Sequence, residues 1–333
     1  MHIETINKTY SRLLALVIIV VISIWVWSSK DMLVKEKQIY QVNYGASIGT
    51  VAKDLRDKKW INSELFFNSL SKLLGANKKL QSGYYQIDPN MDVMTFLENI
   101  SSGNVVTTKV TLIEGKTLND YFDQLSSDSS LRSEDTLEEI MQSLDIKAPY
   151  DGWFYPETYQ FNYGESVRNV LARSFQVMQV KVNELWVDRT KSLPFKSPYE
   201  AIILASLIEK ETALDQEKTL ISGVFIRRLE QGMRLQTDPT VIYALGDNYQ
   251  APLKKSDLKV DSLYNTYKYN GLPPGAISSV GYESLYAAFI QMKVMTYILF
   301  QKRMVVMHLH QIMKNIKITS RGIQIISSLK LAL

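Results

Sequence analysis

The chain is predicted to be an α+β protein: an N-terminal transmembrane helix, a small α+β module, and a larger mixed α+β domain. Three observations carry this reading. An uncharged apolar run lies near the N-terminus, strand-like and helix-like patterns alternate from residue 38 onward, and 333 residues suffice for about two domains. With 46% hydrophobic and 22% charged residues, the composition is that of a folded protein rather than a disordered one.

Residues 13–27 form a run of fifteen without a charge. Extended back to Tyr10, the run reaches roughly 27 Å as a helix, close to the roughly 30 Å of a hydrocarbon core, with Arg12 placed to snorkel. Tyr10, Trp25 and Trp27 fit the aromatic belts of a spanning helix. WVWSSKDM is a poor cleavage site, so residues 13–29 read as an uncleaved anchor behind a cytoplasmic tail of residues 1–12. The expected location is the cell (inner) membrane, single-pass, with the body of the chain extracytoplasmic.

Residues 38–110 read as the small module. QIYQVNYG alternates like a strand, and Ser47 then precedes Ile48, Val51, Ala52 and Leu55 at helical spacing. Ser63 caps a second helix, with Leu65, Phe66, Leu70 and Leu73 on one side. A strand at 83–87, a helix at 94–100 and a strand at 106–112 follow. Residues 115–125 repeat the earlier order of glycine, small polar residue and helix. Residues 126–147 are polar and acidic, the mark of a loop or a helical insert.

The absence of cysteine removes disulfides, thiol nucleophiles, iron–sulfur clusters and cysteine-bound zinc. The three histidines, His2, His308 and His310, stand at the ends of the chain and offer neither a metal centre nor a Ser-His-Asp triad. No metal and no cofactor is therefore expected. Residues 284–333 carry seven basic residues and no acid, which leaves residues 1–283 with 31 basic against 34 acidic. A nucleic-acid partner would need a basic face that this body lacks.

Six aromatic residues between positions 153 and 163 either fill a core or line a groove for sugar faces. Ser197, Pro198 and Glu200 are a helix start, with a capping serine, proline at the first position and a capping-box glutamate. The apolar run 201–208 marks a buried helix, and Glu209 emerges at its C-terminal end. Burial and the negative end of the helix dipole both favour a protonated carboxyl, which is what a general acid requires. A solvated helix end is the plain alternative. A further helix is expected from Asp215 to Gln231, and Asp238 reads as a cap ahead of Pro239. The proline- and glycine-rich stretch 271–278 reads as a rigid loop fit for the wall of a cleft.

Five segments together resemble one family: GWFYPETYQF (152–161), ASLIEKET (205–212), LQTDPTVIYAL (235–245), YNTY (264–267) and GLPPGAIS (271–278). In this order they resemble the endolytic murein transglycosylases of the YceG-like family. The resemblance implies that the 38–110 module is LysM-like and that 111–289 is the catalytic domain of a lyase. Such an enzyme cuts nascent peptidoglycan between N-acetylmuramic acid and N-acetylglucosamine, leaves 1,6-anhydro ends and terminates strand elongation. Glu209 matches the glutamate of the family's EKE motif: general acid on the glycosidic oxygen, then base on the muramic C6 hydroxyl. Because that hydroxyl is tethered to the substrate, one carboxyl suffices where an ordinary glycosidase uses two. Gln236, Asp238, Asn265 and Tyr267 match motif positions around the glycan, and Glu211 is the nearest rival to Glu209. The implied partners are peptidoglycan glycan strands, the membrane and peptidoglycan synthases beside it.

Two alternatives stand beside the lyase. One is a glycoside hydrolase on the same bond, with Asp238 as base, and the other is a non-catalytic peptidoglycan-binding scaffold. After about Phe289 the family pattern is lost, and residues 290–333 have the acid-free composition of a tail read in a shifted frame.

Overall fold

The computed structural model describes residues 16–23, 25–27, 29–290, 316–319 and 322–325. The chain separates into two compact units. One is built on the residues up to Val110 together with 125–134 and 158–170; the other takes 111–124, 135–157 and the residues from Leu171 on.

In the first unit, strands β1 (Gln38–Val42) and β2 (Gly83–Ile87) pair antiparallel, with Tyr40 opposite Tyr85. Side chains alternate across a strand, so Tyr40, Val42, Tyr85 and Ile87 all turn to one side and are buried there. Helices α1 (Ile48–Asp57), α2 (Glu64–Leu73) and α3 (Val93–Ser102) give Leu55, Phe67, Phe96 and Ile100 to the same core. Each helix starts where a short polar side chain accepts a backbone N–H: Ser47 from Thr50 at 3.1 Å, Ser63 from Phe66 at 3.2 Å and Asp92 from Thr95 at 2.6 Å. The apolar stripe expected on α2 holds in part: Phe66 and Leu70 pack against the core beside the buried Phe67 and Ser71, while Leu65 and Leu73 face solvent.

Strand β3 (Thr107–Thr111) precedes helix α4 (Leu118–Ser126), and the polar stretch after it is ordered. It holds the two-residue strand β4 (Leu131–Arg132) and helix α5 (Leu137–Ser143), which opens on a reciprocal capping box between Thr136 and Glu139. Strand β5 (Thr158–Asn162) pairs with β3, and β6 (Glu165–Ser166) runs parallel to β4.

Helix α6 (Val167–Asp188) leads to α7 (Pro198–Glu211), the centre of the second unit. Every residue of α7 from Ala201 to Ile208 is buried, as an all-round apolar helix requires. Helices α8 (Asp215–Glu230), α9 (Asp238–Leu245) and α10 (Tyr282–Phe289) pack against it. Ser197 accepts the Glu200 N–H at 3.4 Å, while the Glu200 carboxylate takes the Lys196 N–H at 2.6 Å instead of closing the expected box. Inside α7 the Ser206 hydroxyl donates to Ile203 O at 2.7 Å and accepts the Ile277 N–H at 3.0 Å. One buried side chain thereby fixes the loop before α10 to the helix.

Gly152 lies where only glycine fits. Its φ is +84°, and a Cβ there would meet Ala276 Cβ at 2.7 Å and Ile202 Cγ2 at 2.8 Å. Gly152→Ala should lower stability by about 3 kcal/mol through strain and overpacking, a loss readable in a denaturant titration.

The predicted membrane span is overturned. No helix among the described residues is long and apolar enough to cross a membrane. Residues 16–23, 25–27 and 29 are helical. The chain then joins the first unit directly: Trp25 packs edge-on against Phe66 at 5.6 Å, Ser29, Met32 and Val34 are buried, and the Met32 N–H bonds Met91 O at 2.8 Å. The inner-membrane location read from that span falls with it. Residues 1–15, 24 and 28, on which the rest of the anchor and the tail before it were placed, lie outside the described residues. So does most of the 290–333 segment, where strands β7 (Ile316–Thr319) and β8 (Gly322–Ile325) pair antiparallel.

Candidate active site

The C-terminal end of α7 opens into a cavity of about 1430 Å³ within the second unit. Glu209 lies in its wall with a side chain only 8% exposed. Its Oε2 accepts the Gly281 N–H at 3.0 Å, and its Oε1 stands 3.7 Å from Lys218 Nζ. Lys218, on α8, is itself buried and holds Asp215 Oδ1 at 2.9 Å. Burial alone would lower the Lys218 pKa. The hydrogen bond to Asp215 and the charges of Glu209, Asp215 and Glu114 outweigh burial and hold the ammonium above its usual range.

Glu114, in the loop after β3, lines the same cavity. Desolvation, reinforced by the negative charge of Glu209, pushes its carboxyl above the usual range, and Lys218 opposes the shift. Glu211 also lines the cavity but is exposed, and its Oε2 accepts from Thr237 Oγ1 at 2.6 Å. The two carboxylates of the EKE segment thus have different surroundings, one enclosed beside a buried cation and the other tied to the start of α9. Lys210, between them, donates to Gly115 O at 3.1 Å.

A second group braces the walls. Asp151 accepts the Leu118 N–H and the Tyr243 hydroxyl, each at 2.6 Å, and so links the first residue of α4 to α9. Burial raises the Asp151 carboxyl pKa against these two bonds, and burial with the Asp151 charge holds the Tyr243 hydroxyl far above its ordinary value.

Gln236, Asp238, Asn265 and Tyr267 come together, but none lines the Glu209 cavity. Gln236 is exposed at a left-handed φ of +53° and bonds Thr266 O through its N–H at 3.2 Å. Asp238 is the first residue of α9 rather than its cap, a place taken by Thr237. Its carboxylate accepts the Tyr267 hydroxyl at 2.5 Å, and desolvation followed by this bond pushes that phenol up to about 12. Asn265 is fully buried: its amide donates to Leu258 O at 3.0 Å and Val260 O at 2.8 Å, and its oxygen accepts the Tyr267 N–H at 3.0 Å. It shapes the loop. The aromatic run after Gly152 is core, with Phe154 and Tyr155 buried and Trp153 stacked on Tyr199 at 4.5 Å.

Lys218, Glu114, Asp151 and Gly281 were not legible as site residues. Their signal is a long-range meeting of elements, which local pattern does not carry. Among the described residues no group of three or more histidine, aspartate or glutamate side chains is placed to hold a metal ion.

Residues 40–314 match the YceG-like family, a span that runs past Phe289 into the segment read as atypical. An endolytic murein transglycosylase of Bacillus subtilis is 31% identical over 268 residues, covering 73% of each chain. One of Streptococcus pneumoniae serotype 2 is 26% identical over 286 residues; the match takes 75% of this chain but only 51% of that longer protein. Among solved structures, a putative yceG-like protein of Listeria monocytogenes is 30% identical, with 78% of this chain and 92% of that chain covered and a TM-score of 0.47.

Proposed function

The chain belongs to the YceG-like family, and from that premise we propose that it is a lytic transglycosylase acting on peptidoglycan glycan strands. The observation that carries the reading is the enclosure of Glu209: one carboxyl in the wall of a large cavity, aimed by Gly281 N–H and backed by Lys218. The matching relatives named endolytic murein transglycosylases support the substrate class.

In the proposed reaction, Glu209 gives its proton to the glycosidic oxygen between N-acetylmuramic acid and N-acetylglucosamine as that bond breaks. The resulting carboxylate accepts the proton of the muramic C6 hydroxyl, whose oxygen closes on C1. No water is consumed, and the product carries a 1,6-anhydro end. The tethered hydroxyl has a high effective concentration, so a second carboxylate to activate water is unnecessary. The hydrolytic alternative has weaker support, because the base assigned to it, Asp238, is held by Tyr267 outside the cavity. The non-catalytic scaffold leaves an enclosed carboxyl on a buried cation without a purpose.

The test is mass spectrometry of purified peptidoglycan strands after incubation with the protein. Fragments with anhydro ends, lighter by one water than hydrolytic ones, are expected. Reducing-end fragments would establish the hydrolase instead, and intact strands would leave the scaffold.

A further inference from the structure

Resting on the reading of the chain as a transglycosylase, we propose that Tyr243 is the platform against which a sugar ring of the glycan packs in the Glu209 cavity. Asp151 is the positioning residue that aims it.

The side chains lining the cavity are mostly polar or charged, and Tyr243 is the aromatic one among them. A sugar ring has two kinds of surface, hydroxyls around its rim and C–H groups on its faces. Polar groups suit the rim, and a flat aromatic ring suits a face. None of the aromatic residues between 153 and 163 lines this cavity, so the ring that could meet a sugar face there is that of Tyr243.

Tyr243 is held at two points. Its hydroxyl donates to Asp151 Oδ2 at 2.6 Å, and its ring lies 4.8 Å from that of Tyr264 at a tilt of 46°. Asp151 is itself fixed. Its other carboxylate oxygen accepts the Leu118 N–H at 2.6 Å, and its backbone carbonyl accepts the Tyr199 hydroxyl at 3.1 Å. A line of contacts therefore runs from α7, which carries both Tyr199 and Glu209, through Asp151 to the phenol of Tyr243. A ring ordered before the glycan arrives loses little freedom on binding, so more of the contact is retained as affinity. A brace between walls accounts for the hydroxyl of Tyr243. The half-buried ring, set in the wall of a polar cavity, is accounted for by a sugar face.

The experiment is steady-state cleavage of purified, soluble peptidoglycan strands by the full chain, with KM and kcat measured separately. The proteins compared are the unaltered chain, Tyr243→Leu, Tyr243→Phe, Asp151→Asn and the double variant Asp151→Asn/Tyr243→Phe. Tyr243→Leu removes the ring and should raise KM about tenfold while kcat changes less than about threefold, the mark of lost substrate binding. Tyr243→Phe keeps the ring but frees its end, and Asp151→Asn weakens the same bond at constant shape, so each should raise KM about threefold. The double variant should be no worse than the worse single one, because one interaction is lost once. A partly unfolded preparation has fewer active molecules, which lowers apparent kcat and leaves KM alone, so a structural loss does not imitate this result. If Tyr243→Leu does not fold, the other three variants decide. An unmoved KM in Tyr243→Leu, or in both Tyr243→Phe and Asp151→Asn, overturns the proposal. Additive rises in the double variant overturn it as well, because Asp151 would not act through Tyr243. Failure of the unaltered chain to form anhydro ends would defeat the transglycosylase reading itself, whereas anhydro ends with an unmoved KM defeat only the role of Tyr243.

Discussion

Glu209→Gln is expected to reduce glycan cleavage by at least about 10³-fold while binding of glycan strands persists. The amide is nearly the same size, still offers an oxygen to the Gly281 N–H and leaves the cavity unchanged in outline. What it lacks is an exchangeable acidic proton. In the proposed reaction the carboxyl gives one proton to the leaving oxygen and then takes another from the C6 hydroxyl, so both steps lose their proton carrier. Glu211→Gln is the matched control, because Glu211 is exposed and bonded to Thr237. Rates of fragment release checked beside strand retention in a pull-down distinguish the two expected effects. Equal loss in both variants would remove the assignment of Glu209 over its neighbour.

Lys218→Met is expected to lower folding stability by about 3–5 kcal/mol, since it leaves the enclosed Glu209 carboxyl without its cation. Methionine fills a similar volume, so the loss is electrostatic rather than a cavity. The sign with pH follows from the raised pKa of Lys218. Its contribution is fully present below the unfolded lysine value of about 10.4 and disappears as pH rises through the higher folded value. Urea titrations of the two proteins should therefore differ most from neutral pH up to about 10 and converge in the strongly alkaline range. A gap constant across that range would mean that packing, not charge, sets the difference.

Much of the local structure was legible because it rests on short-range rules. Ser63 and Ser197 cap the helix starts where they were expected, and the run 201–208 is buried to the last residue. Glu209's place in the last turn of that helix, directly after the run, followed from the same pattern. The face of α2 followed only in part: Phe66 and Leu70 pack against the core, but the fully buried side chain is Phe67, and Leu65 and Leu73 face solvent. Asp238 shows the limit of a cap rule: Asp-Pro marks the helix start correctly, yet the carboxylate is drawn to Tyr267 from a loop 29 residues away. Asn265 was placed around the glycan by the resemblance, and in the structure three backbone groups hold its amide. The anchor was read from an apolar run, its flanking aromatics and a poor cleavage site, and among the described residues no helix is long and apolar enough to cross a membrane. The second unit's site was only half visible, since Glu114 and Lys218 reach Glu209 through folding alone.

The bond from Ile277 N–H to the Ser206 hydroxyl has a consequence for natural variation. It pins the chain four residues ahead of Gly281 onto the same helix that carries Glu209, independently of the path taken before it. The stretch from Gly246 to Lys259 precedes that pin and is largely exposed, and Gly246 and Asp247 border the cavity. Insertions or deletions there can rebuild one rim of the cavity while the aim of the carboxyl is left untouched. Changes at this rim are therefore free to alter its shape without moving the helix end that carries Glu209.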